Sequence, residues 1–360
     1  MSKKLVVHGI LTASLIFLAA CSSTPQAAPS ISASSTSKAV TSAPTSTAPA
    51  SSSSVSASVP ASSVVPPPTS TSNPPPKPSA PPSSAAPPPA KPAAMDFTKI
   101  GAPVLVSSQF NFTEGPVWDK AHNVFLFTDV NANKLYQLAL PTTVTVYKDP
   151  SLKTYSLVFD KDGSLLTAEG GLRQVTRTLA DKTVKVLADK YQDKALNAPN
   201  DLVVRDDSTI YFTDPIFGPP PSPVGVDFMG LYRISPTGEL TLEGKFTTPN
   251  GLGLSPDQKT LYMASTMTNQ VMAFSIAADG STSNGKKFVD APNADGMKVD
   301  ASGNVWVACK DGVYVFSPEG TTLASIKTTT RPTNLAFGGP DGKTLLITSD
   351  AKNLYTVALP

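Results

Sequence analysis

The sequence predicts an all-β fold, a six-bladed β-propeller behind a disordered N-terminal tether, and three observations lead there. From residue 102 onward, short β-branched and aromatic runs alternate with Asp-Gly, Ser-Gly, Pro-Asp and Asp-Asp turns. Within that region one pattern recurs six times, as EGPVWD, YSLVFD, NDLVVR, NGLGLS, DGMKVD and NLAFGG. A polar turn and a second apolar run follow each copy: VFLFTD, LLTAE, TIYFTD, TLYMAS, NVWVAC and TLLITS. The copies begin at Glu114, Tyr155, Asn200, Asn250, Asp295 and Asn334, about 40 to 50 residues apart, which is the period of a propeller blade. A β-sandwich also has short strands and frequent turns, but it gives one position no reason to recur six times with related chemistry.

Residues 1–21 read as a secretion signal. Lys3 and Lys4 precede an apolar run from Leu5 to Ala20, shorter than the roughly 20 residues that a spanning helix needs. Leu18-Ala19-Ala20-Cys21 resembles the lipobox of bacterial lipoproteins, which makes Cys21 the lipidated residue and the mature N-terminus. The expected location is therefore the cell envelope, with the lipid anchor as the sole membrane contact. In a Gram-negative host, Ser22 in place of Asp favours the outer membrane over inner-membrane retention, with the domain facing the periplasm.

Residues 22–95 are a Ser/Pro/Ala tract that holds half of the 36 prolines and lacks aromatics. Such a segment cannot bury enough apolar surface to offset the entropy of ordering, so a disordered, partly polyproline-like linker is expected. Fully extended at about 3.1 Å per residue, it would reach more than roughly 200 Å from the lipid surface.

Residues 96–360 are expected to form the propeller. Each repeat supplies the inner two strands of a blade. Third strands are predicted at 134–139, 174–178, 230–234, 270–275, 312–317 and 353–358. The segment Pro103 to Ser107, ahead of the first repeat, is expected to pair as the outermost strand of the last blade, which closes the ring and protects its edges. The connection from Pro215 to Met229, with Pro219-Pro220-Pro221, is unusually long and should emerge as a loop at the channel mouth.

Composition removes several function classes. Net charge is +2, with no basic stripe interleaved with aromatics, so no nucleic-acid groove is indicated. The two histidines are His8, in the signal, and His122, in a turn. That argues against a Ser-His-Asp triad, a His-ligated zinc or a Cys-His nucleophile. With Cys21 lipidated, Cys309 is the remaining thiol; it lies in the apolar run VWVA and is expected to be buried and unpaired.

The first position of each repeat carries the chemistry. Taken singly, Asn or Asp at a strand start is a turn residue bonding its own backbone. Taken together, five of the six leading residues are carboxylates or carboxamides, and a closed ring would bring them to one axis. Calcium prefers 6 to 8 such oxygens. Glu114 and Asp295 match a divalent charge, and Asn200 and Asn250 add neutral oxygens. Calcium is the expected ion, with zinc or magnesium as other divalent candidates. Asp129, Asp214 and Glu169 end the second strands and read first as backbone-capping acids.

Several of these stretches resemble the bacterial gluconolactonase branch of the gluconolactonase/regucalcin-like six-bladed propellers. The resemblance is carried by Glu114 to Trp118, NAPNDL from Asn197 with Phe212 to Pro215, Pro249 to Leu252 with Ser255 to Asp257, Asp295 to Met297 with Trp306, and Thr333-Asn334 through Gly339. It covers residues 100–360. It implies metal ligation by Glu114, Asn250 and Asp295, a metal-adjacent, substrate-contacting Asn200, and hydrolysis of a lactone or related ester. Two positions depart from the family pattern: Ala198 replaces a sugar-contacting arginine, and AEGGL at Ala168 to Leu172 stands where related enzymes tend to carry a histidine. Both bear on the sugar-lactone substrate and neither on the metal.

The function expected from the sequence is thus a calcium-dependent hydrolase that opens a lactone or ester. The ion polarises the carbonyl, Asp295 activates water, Asn200 orients substrate or water, and Tyr155 and Arg173 contact substrate. The main alternative is a non-catalytic envelope propeller that binds a ligand or a cell-wall component and holds a structural metal. A phosphoesterase of related fold is the third.

Overall fold

The computed structural model describes residues 95–360. The signal, the Cys21 lipidation site and all of the 22–95 tether except Met95 lie outside the described residues. Six antiparallel four-stranded sheets make up the fold. Blade 1 contains Thr113–Asp119, Val124–Asp129, Lys134–Ala139 and Thr143–Lys148. Blade 2 contains Thr154–Phe159, Leu165–Glu169, Gln174–Thr178 and Val184–Ala188. Blade 3 is Leu202–Val204, Ile210–Asp214, Gly230–Ile234 and Leu240–Lys245. Pro249–Leu254, Thr260–Ser265, Gln270–Ile276 and Thr282–Asp290 form blade 4. Blade 5 follows with Met297–Val299, Val305–Cys309, Gly312–Phe316 and Thr322–Lys327.

Blade 6 closes the ring as the sequence predicted. Its inner strands Pro332–Gly338, Thr344–Ser349 and Lys352–Ala358 come from the C-terminus, and Val104–Phe110 pairs outside them. The innermost strand of each blade touches the innermost strand of the next, including blade 6 against blade 1. Hydrogen bonds lock that last seam: Thr333 Oγ1 donates to Thr113 O at 2.6 Å, and Thr113 Oγ1 to Ser349 O at 3.1 Å.

The second strands are near-continuous apolar runs buried on both faces, as in Val305–Cys309 and Ile210–Asp214, and their side chains fill the wedges between blades. Leu166, Ala168 and Val175 of blade 2 pack on Phe212 and Tyr232 of blade 3, and Trp306 of blade 5 packs on Leu335 and Leu345 of blade 6. Each fully buried Leu or Phe of this kind stabilises by about 1.5–3 kcal/mol relative to exposure. Cys309 is buried and unpaired, as expected from its apolar run.

The ladder between the first and second strands breaks at the same place in four blades. Register shifts fall between Glu114 and Val117, Thr154 and Ser156, Pro249 and Leu252, and Pro332 and Leu335. These bulges lie at the leading residue of the repeat, where an extra residue bends the strand and re-aims its side chain. Blades 3 and 5 reach the same place with a shorter inner strand, their ladders continuing through Asn200 N to Thr213 O and Asp295 N to Ala308 O, both at 2.9 Å.

Candidate functional site

Glu114, Asn200, Asn250 and Asp295, from four different blades, line one cavity of about 440 Å³ at the axis, together with Tyr155 and Arg331. All four donors are buried, none more than 8% exposed. The hydrogen bonds show which atoms are committed and which remain. Asn250 Nδ2 donates to Asp295 Oδ1 at 2.7 Å and to Thr266 Oγ1 at 3.0 Å, leaving the side-chain oxygen Asn250 Oδ1 for a ligand. Glu114 Oε2 accepts from Gly115 N at 3.0 Å and from Asn334 Nδ2 at 3.2 Å, leaving Oε1. Asn334 is thereby turned away from ligation: its Oδ1 accepts from Leu335 N at 2.9 Å and Lys298 Nζ at 3.4 Å.

The electrostatics are those of a site short of positive charge. Burial first, and then the Asp295 carboxylate, push Glu114 well above the ordinary carboxylate range. Burial also raises Asp295 to about 6, against the pull of Arg331. Arg331 Nη1 lies 2.8 Å from Asp295 Oδ2, and among the described residues no cation lies within ion-pair reach of Glu114. A third buried carboxylate, Asp201, adds to the same field; its Oδ1 takes Ser156 Oγ at 2.6 Å and Leu202 N at 2.8 Å, and its Oδ2 takes Leu252 N at 2.9 Å. No group of three or more His, Cys, Asp or Glu side chains suited to a metal occurs among the described residues. The donor set is instead two carboxylates and two carboxamides, oxygens only, on a negatively charged floor. That chemistry fits a hard divalent cation such as calcium and does not fit a thiolate- or imidazole-bound metal.

The remaining residues singled out from the sequence divide. Tyr155 lines the cavity, and burial followed by the Glu114 charge raises its phenol. Gly170 of the AEGGL stretch leaves the space its ring occupies, since a methyl group there would stand 2.5 Å from Tyr155 Cε2. Arg173 does not line the central cavity. It lies in an adjoining cavity of about 320 Å³ that shares Tyr155 and Phe217, with Nε donating to Leu196 O at 2.5 Å and Nη1 to Pro223 O at 2.6 Å. Asp129 and Asp214 cap backbone, the first taking Asn111 N at 2.8 Å and the second taking Asn197 N and Ala198 N, each at 2.8 Å. Glu169 differs, bonding the side chains of Thr167, Thr176 and Gln174.

Three contributors were missed from sequence: Arg331, Asp201 and Phe217. Asp201 carried a signal, because it follows the leading residue where three other repeats have Gly115, Gly251 and Gly296. Arg331, three residues before Asn334, carried none beyond its charge.

Residues 112–351 match the family model described as the SMP-30/Gluconolactonase/LRE-like region. The gluconolactonase of Zymomonas mobilis is 28% identical over 283 residues, covering 69% of this chain and 80% of the relative. Pentonolactonase XacC of Haloferax volcanii is 26% identical over 266 residues, covering 68% and 84%. Among solved structures, a gluconolactonase from Xanthomonas campestris superposes with a TM-score of 0.67 at 31% identity, covering 72% of this chain and 89% of that one.

Proposed function

The chain belongs to the SMP-30/gluconolactonase/LRE-like family, and from that premise we propose that it is a divalent-cation-dependent lactonase, with calcium as the preferred ion. The observation that carries the reading is the convergence of the Glu114 and Asp295 carboxyls and the Asn200 and Asn250 amides on one cavity, all four buried. The names of the relatives, gluconolactonase and pentonolactonase, support hydrolysis of a cyclic ester.

In this reading Glu114, Asn250 and Asp295 hold the cation, with Asn200 beside it. When bound, the ion supplies Lewis-acid polarisation of the ester carbonyl and stabilises negative charge on its oxygen. Asp295 takes the proton of the attacking water as the new carbon–oxygen bond forms, and returns it to the ring oxygen as the old bond breaks, so a hydroxy acid leaves. Burial makes the Asp295 carboxylate more basic, while Arg331 and a bound cation favour its ionised form, so it stands ionised at neutral pH and ready to accept a proton. Asn250 Nδ2 and Arg331 fix the orientation of the carboxylate. Asn200 makes no side-chain hydrogen bond among the described residues and is free to orient water or substrate.

Metal analysis of the purified protein, with a lactone panel assayed before and after chelation, tests the proposal. Turnover that survives complete removal of divalent ions would overturn it. The envelope location is part of the same proposal, and mass spectrometry of the membrane-bound protein should find a diacylated Cys21 at the mature N-terminus.

A further inference from the structure

We propose that the preferred substrate is a lactone bearing an apolar arm, alkyl or aryl, which lies along the cavity wall beside Phe217; this rests on the lactonase reading above. The four oxygen donors of the cavity are buried, and its lining also includes the apolar side chains Phe112, Val130 and Phe217 beside the exposed amides Asn131 and Asn293. The distribution of exposed large apolar residues points the same way. Val104, Leu105, Val146, Tyr147, Val184, Val186 and Leu323 lie on outermost strands, the ordinary place for scattered apolar exposure. The other four, Leu172, Phe217, Val224 and Met267, at 53%, 46%, 72% and 71% exposure, lie on the links between second and third strands of blades 2, 3 and 4. Those links leave the face on which the inner strands begin, the face of the cavity mouth. Apolar surface concentrated around one mouth marks a binding surface more than scattered exposure does.

A polyhydroxylated ring could bond Asn131, Tyr155, Asn200 and Asn293 but not Thr266. The Thr266 hydroxyl is engaged, accepting from Asn250 Nδ2 and donating to Ala294 O at 2.8 Å. Position 198, near the adjoining cavity, is an alanine.

Phe217 is held on the wall by a fastened loop. Arg173 bonds Pro223 O at 2.6 Å, Val226 N bonds Ala195 O at 3.0 Å, and Asn197 Nδ2 bonds Phe228 O at 2.8 Å. At Gly225 the loop passes so close to Ala195 O and the Arg173 guanidinium that no side chain fits. Arg173 in this arrangement positions the loop that carries Phe217.

The test compares kcat/KM of the full chain, with its divalent ion, on three six-membered lactones: unsubstituted, ring-pentyl-substituted, and polyhydroxylated glucono-1,5-lactone. Burial contributes up to about fourfold per methylene, so the pentyl lactone should exceed the hydroxylated one tenfold or more. Phe217→Ser should shrink the pentyl-to-unsubstituted ratio at least tenfold. Preference for the hydroxylated lactone, or a ratio unmoved by both Phe217→Ser and Met267→Ser, overturns the inference and leaves the lactonase reading standing. Absence of turnover on all three lactones overturns both.

Discussion

Arg331 and Asp295 form an ion pair, Nη1 to Oδ2 at 2.8 Å, and the same guanidinium reaches Asp350 Oδ2 through Nε at 2.9 Å. Asp350 follows the second strand of blade 6 and Asp295 precedes the inner strand of blade 5, so one arginine fixes a buried carboxylate across a blade seam. Truncating one partner of such a pair leaves a buried charge uncompensated. Because Arg331 is partly exposed, Arg331→Gln should cost about 2 kcal/mol in the chelated protein, less than the fully buried case. Added calcium should recover most of that loss, since it neutralises the same carboxylate. Urea denaturation with and without calcium measures both.

The two floor carboxylates should differ in what their removal does. Asp295→Asn should lower kcat by about 100-fold or more, the usual scale for loss of a general base. Glu114→Gln, which removes charge without touching the proposed base, should chiefly weaken calcium binding, seen as a raised Kd by calorimetry and activity restored at high calcium. Equal effects of both variants on kcat at saturating calcium would argue against a special role for Asp295.

Stability of the metal-free protein should fall as pH rises. Glu114 and Asp295 are both raised above their unfolded values, so the folded state binds protons more tightly. The Asp295 contribution is then fully present below about pH 4 and is lost as pH rises through about 6, and Glu114 adds a loss in the same direction. For Asp295 alone the span is on the order of 3 kcal/mol. A bound divalent cation favours the ionised forms and should flatten or reverse the trend. Thermal melts between pH 5 and 8, with chelator and with calcium, read this out.

Most of the fold could be read from the sequence because closure of a propeller is a repetitive problem. Each blade reuses one strand–turn–strand pattern, and the third strands fell at 134–139, 174–178 and 230–234 as expected. The ring of donors was legible for the same reason: the leading residue of the repeat comes to the axis at a bulge in blades 1 and 4 and ahead of a shorter inner strand in blades 3 and 5. Arg331 was not legible, because it lies outside the repeated position and its partners Asp295 and Asp350 are 36 and 19 residues away in the chain. Phe217 lies in a non-repeated loop, where no periodicity indicates which side chain turns inward. Asn334 shared the ring position, yet the structure commits its amide to Glu114, a choice set by hydrogen bonding to Lys298 and Leu335.

Glycines follow Glu114, Asn250 and Asp295 in the chain. At Gly251 a methyl group would overlap the Asp295 carbonyl oxygen, and at Gly296 it would overlap the Asn334 carboxamide. Neighbouring inner strands approach here more closely than any side chain allows, and this narrow seam lets donors from different blades share one cavity. In blade 3 the same place holds Asp201, which bonds Ser156 on one side and Leu252 N on the other. Gly251→Ala and Gly296→Ala should therefore each destabilise by about 2 kcal/mol or more, the range for forced overpacking. Gly296→Ala should also displace Asn334 from Glu114 and weaken calcium binding. Gly163→Ala is the control: it has a positive φ of 80° but open space around it, so it should show only the backbone cost of about 1 kcal/mol and unchanged calcium affinity. If the seam glycines cost no more than the control, close approach of the inner strands does not set the ring, and the bulges alone must account for it.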